Sequence, residues 1–107
     1  MYSIPRRRRE RAILVYLLLR CLEGARLDAV PCTHHHIECW MRSNYKAVDS
    51  LLVSAMESGW VTADKAGRAY LITEPGRAVC AELGRLLPMA YSLTADDFLR
   101  RIRGPSA

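Results

Sequence analysis

The stretch Ser43–Thr73, SNYKAVDSLLVSAMESGWVTADKAGRAYLIT, decides the fold. Its first half reads as one amphipathic helix over residues 44–58. Val48, Leu51, Leu52, Ala55 and Met56 recur at helical spacing and line one face, while Asn44, Tyr45, Lys46, Asp49, Ser50 and Ser54 occupy the other. Ser43 is the expected N-cap, its hydroxyl accepting from the free amides of the first turn. Gly59 is the expected stop, as a residue that tolerates positive φ. The second half, residues 60–73, reads as a hairpin. Trp60-Val61-Thr62 and Ala69–Thr73 are rich in strand formers, and the polar, Gly-containing Ala63–Arg68 separates them.

A helix with a polar outer face followed by a short basic-tipped hairpin is a helix-plus-wing pattern. At Tyr45-Lys46-x-Val48-x-x-x-Leu52, then Gly59-Trp60-Val61, then Tyr70-Leu-Ile-Thr-Glu-Pro-Gly-Arg77, the chain resembles winged helix-turn-helix regulators of the multiple-antibiotic-resistance (MarR-like) and PadR types. The resemblance covers roughly residues 8–90, and Leu71–Arg77 is its most specific part. It implies an α+β, mostly α fold with a small three-stranded antiparallel sheet. It also implies double-stranded DNA as partner and a homodimer as the binding form.

Working outward, the N-terminal segment over residues 5–22 reads as helix 1. Pro5 suits a first turn and Gly24 a terminus. Ile13, Leu14, Leu17, Leu18 and Cys21 make one apolar face, and Val15, Leu19 and Leu22 a second. A helix apolar almost all round is buried on more than one side. Leu27–Val30 is the expected first strand, closed by Pro31. Thr33 caps a second helix over residues 34–41. After the hairpin, Thr73 caps the first of two C-terminal helices within residues 74–103, and Pro88 should kink or end it. A last short helix begins after Thr94. The leftover apolar stripes are explained either by an extended core or by a homodimer. The dimer reading takes Leu83, Leu87, Phe98 and Ile102 as contacts.

At 107 residues the chain is long enough for one domain with a single core. No cleavable apolar leader is apparent, and the longest apolar run, Ala12–Leu19, is far too short to span a bilayer, so a cytoplasmic protein is expected. The net charge of +5 is carried by residues 1–20, where six arginines face one glutamate; the remaining residues hold ten basic and ten acidic side chains. An excess concentrated at one end points to a polyanionic partner. Arginine outnumbers lysine fourteen to two, with no glutamine and one asparagine, which fits a thermophile, possible archaeal origin included, or a GC-rich genome.

The expected DNA-contacting residues are Arg6, Arg7, Arg8 and Arg9, then His34 and His35, then Ser43, Asn44, Tyr45, Lys46 and Ser50, and finally Lys65 and Arg68 in the wing. Four adjacent cations at a helix start oppose its dipole by roughly 0.3–1 kcal/mol each, a cost that phosphates remove and a solvated tag does not. Asp49 either accepts from a cytosine amino group or repels phosphate. Cys32, His34, His35, His36 and Cys39 offer metal-ligand chemistry at a spacing that matches no common zinc module. His35 and Cys39 share a helix face, and solvent-facing histidines are the simpler reading. Cys21, Cys32, Cys39 and Cys80 fit buried thiols, with a disulfide as the second reading. No nucleophile–base spacing, phosphate-cradling loop or carboxylate pair suggests an enzyme, and no cofactor is expected. The competing function is a winged helix used for protein contact, or an architectural DNA binder without sequence preference.

Overall fold

The computed structural model describes residues 6–90, with side chains for 10–86. In chain order it comprises α1 (Arg6–Asp28), α2 (His34–Met41), α3 (Tyr45–Glu57), β1 (Val61–Ala63), β2 (Tyr70–Ile72) and α4 (Glu74–Ala90). The described residues are α+β and mostly helical, with one two-stranded antiparallel sheet. None of these helices is long and apolar enough to cross a membrane. The expected last helix, with Phe98 and Ile102, lies outside the described residues.

The core forms around α1. Val15, Tyr16, Leu17, Leu18 and Leu19 are buried in succession, which an amphipathic surface helix could not achieve. α2, α3, β2 and α4 all pack on α1, so both of its apolar faces are consumed within the chain. The second face therefore supplies no argument for a partner subunit. Leu83 of α4 likewise packs partly buried against this core.

α1 does not stop at Gly24. It continues to Asp28 and ends on Ala29 in the left-handed region (φ 55°). Ala29 N donates to Arg26 O and Val30 N to Ala25 O, the paired bonds of a Schellman end. Alanine at the position glycine prefers is why the end is hard to read in sequence. The expected strand over 27–30 is accordingly absent, with Leu27 69% and Val30 50% exposed. What remains of a third strand is one rung, Tyr70 N donating to Cys32 O at 2.9 Å on the free edge of β2. Pro31 lacks an amide and cannot add another. Relieving the left-handed strain should outweigh the added chain entropy, so Ala29→Gly is expected to raise stability by roughly 0.5–1 kcal/mol. A lower midpoint in thermal unfolding would contradict this end geometry.

Thr33 caps α2 as expected, its Oγ1 accepting from His36 N. α2 closes on Arg42, also left-handed (φ 50°), with Ser43 N donating to Glu38 O. Ser43 is thus spent ending α2, and the cap of α3 passes to Asn44, whose Oδ1 accepts from Ala47 N at 2.8 Å. α3 buries Val48, Leu51, Leu52 and Ala55, but Met56 is 40% exposed, against expectation. Gly59 (φ 79°) ends the turn after Ser58, and Trp60 N donates to Ala55 O. Because Trp60 completes this motif, β1 starts one residue later than the sequence suggested. Val61 pairs with Ile72 and Ala63 with Tyr70. Thr73 Oγ1 accepts from Gly76 N and donates to Gly59 O at 2.6 Å, joining the end of α3 to the start of α4. α4 stays helical through position 88, so Pro88 does not end it.

Candidate nucleic-acid interface

The first turn of α3 faces solvent. Asn44, Tyr45, Lys46, Ala47 and Ser50 are exposed, Ser43 is half-buried, and the turn contains no acidic residue. A helix start of this kind presents free amides and the positive end of the dipole. Lys46 adds a full cation there. The Asn44 carbonyl oxygen is already engaged in the cap.

His34 does not join this surface. Its side chain is 15% exposed, and Nδ1 lies 2.7 Å from Glu38 Oε2. The ring stacks on Tyr45 with centroids 4.0 Å apart and meets Tyr70 edge-on at 6.2 Å. Nε2 is buried without a hydrogen bond, with Asp49 Oδ1 3.5 Å away. The histidine therefore ties α2 to the first turn of α3 and to β2. Tyr45 keeps 62% exposure, so one side of its ring packs on His34 while the rest meets solvent. Asp49, ambiguous in sequence, faces this cluster. Burial pushes the Tyr70 phenol up, and the Asp49 carboxylate adds to the effect. The signal for such a cluster would have been His34 standing eleven residues before Tyr45 on facing helices, which needs the turn geometry to be known.

The hairpin tip displays Lys65 and Arg68, both exposed. Asp64, which sequence reasoning passed over, organises it. Its Oδ1 accepts from Arg68 N at 2.9 Å and from Ala69 N at 3.3 Å, while its backbone pairs with Ala69 O and Gly67 N. Gly67 takes φ 68°, as the tight turn requires. Asp-x-x-Gly is the readable trace of that turn.

Arg6–Arg9 stand in the first turns of α1, and their side chains, like that of Leu87, lie outside the described part. His35 is exposed, with Nε2 3.5 Å from Cys39 Sγ, as their spacing suggested. The four cysteines are free thiols, and Cys21, Cys32 and Cys80 are buried. The Cys21–Cys32 hydrogen bond lowers the Cys32 thiol, and the same bond with burial pushes Cys21 up. Burial also raises Cys80. Between α1 and α4 a shallow cleft of about 270 Å³ holds the Glu23–Arg77 pair at 3.0 Å. Burial raises the Glu23 carboxyl, but the hydrogen bonds from Arg26 and Arg77 outweigh it and hold the group below its ordinary range.

Comparison with protein-family models, with curated proteins and with solved structures returned no match.

Proposed function

We propose that the chain binds double-stranded DNA as a winged helix-turn-helix protein and acts as a transcriptional regulator. α2 and α3 form the helix-turn-helix, α3 enters the major groove, and the β1–β2 hairpin is the wing. The observation that carries this reading is the solvent-facing start of α3, cationic and free of acidic side chains, locked through His34 to the base of a basic-tipped hairpin. In such docking the first turn of the reading helix reaches base edges, and wing cations meet phosphates or the minor groove. The chain binds as a homodimer with reading helices about 34 Å apart. Since Leu83 packs on the core, the dimer contact falls to Leu87, Phe98 and Ile102 together with exposed Leu86. A second reading, binding without sequence preference, is favoured by the concentration of net charge in residues 1–20.

The test is duplex affinity measured beside thermal unfolding. Lys46→Ala is expected to weaken binding without moving the thermal midpoint. Tyr45→Ala is a poorer probe, because it also removes the stack on His34. Replacing Lys65 and Arg68 together should weaken all sequences alike and flatten the salt slope by about 1.8, or 0.9 per phosphate contact. Parent-like affinity in both sets of variants excludes α3 and the hairpin as the DNA-contacting surface.

A further inference from the structure

Cys21 on α1, Cys32 in the link before α2 and His36 in the first turn of α2 come together although eleven and four residues separate them in turn. Their ligand atoms all lie within 4.8 Å of one another. The two sulfurs are 3.8 Å apart. That is far beyond the roughly 2.05 Å of a disulfide. It equals the separation of two thiolates on one tetrahedral zinc, where Zn–S bonds of about 2.3 Å give an S···S edge of about 3.8 Å. Both cysteines are buried and His36 is exposed, so an ion held here takes its thiolates from the core side and its imidazole from the solvent side. Closing the remaining distance falls to the exposed His36 ring and not to the two buried thiols. Two thiolates balance the charge of a divalent ion, which lets it sit at the core margin. Thiolate and imidazole donors select zinc-like ions over magnesium or calcium.

We propose that Cys21, Cys32 and His36 form a zinc site with a fourth position open to water or a small solute. The site joins α1 to α2 where β2 receives a single backbone rung, from Cys32 itself. Metal held between segments distant in sequence adds its binding free energy to folding. The candidates expected from sequence within Cys32–Cys39 are thereby re-sorted: Cys32 and His36 act with Cys21, while His35 and Cys39 stay on the outer face of α2.

The test uses the full chain, reduced and metal-free, titrated with cobalt(II) and no DNA present, so it stands apart from the DNA-binding proposal. One equivalent should produce thiolate-to-cobalt charge-transfer absorption and the intense visible bands of a tetrahedral ion, displaced by zinc, and zinc should raise the thermal midpoint. His36→Ala, an exposed change that spares the fold, should weaken cobalt affinity at least about 10- to 100-fold, the range seen even for lost outer partners of metal ligands. Absence of charge-transfer absorption at stoichiometric cobalt overturns the site. Unchanged affinity in His36→Ala overturns this ligand set. A Cys21–Cys32 disulfide, detected by mass in protein purified without oxidant and binding no metal, also overturns it.

Discussion

Gly76→Ala is expected to destabilise the protein by about 3 kcal/mol, the upper end for an overpacked site. A Cβ at position 76 overlaps the Trp60 carbonyl oxygen and lies 2.9 Å from Trp60 C and 3.0 Å from Ile72 Cγ1. The obstacle is backbone and cannot rotate away. Trp60 O also accepts from Thr73 N at 3.0 Å, so moving it loosens the junction between hairpin and α4. The loss corresponds to a fall in thermal midpoint on the order of 10–20 °C. Gly24→Ala is the matched control. It sits inside α1 with open space around its Cβ, and should gain roughly 0.5–1 kcal/mol. Equal midpoints for Gly76→Ala and parent would contradict the close approach of α4 to Trp60.

Removal of residues 1–9 is expected to flatten the salt dependence of DNA binding by about three to four units, at about 0.9 per phosphate neutralised. Arg6, Arg7, Arg8 and Arg9 supply four of the six basic residues in the segment that carries the net charge. They stand where a helix N-terminus prefers anions, a cost that bound phosphate would relieve. Folding should survive, because the first buried residue among the described side chains of α1 is Ile13. Sequence preference should persist if, as proposed, α3 is the reading helix. A truncated protein with the parent's slope marks the arginines as a solvated tag.

Much of the local structure was legible because local chemistry dictates it. The bounds of α2, the Thr33 and Thr73 caps, the apolar face of α3 and the hairpin all follow from periodicity and capping residues. Tertiary choices were less legible. Two of the three helix ends before the hairpin use left-handed Ala29 and Arg42, where sequence reading looks for glycine. The missing third strand follows from the first of these, since six further residues of helix, 23–28, consume the segment meant for it. The second apolar face of α1 left an extended core and a homodimer both open, because the angle at which α4 returns is not written locally. At the candidate site, exposure of Lys46, Lys65 and Arg68 was readable from polarity. The inward turn of His34 was not, nor the meeting of Cys21 with Cys32 and His36, because both depend on packing between elements.

The most direct test of the DNA-binding account is the affinity of the intact chain for a random-sequence duplex across a series of salt concentrations. If Arg6–Arg9, Lys46, Lys65 and Arg68 meet phosphates, the logarithm of affinity should fall linearly with the logarithm of salt, with a slope of about −6 for each chain bound, or about −0.9 per contact. No binding at low salt, or binding whose affinity does not change with salt, would contradict it.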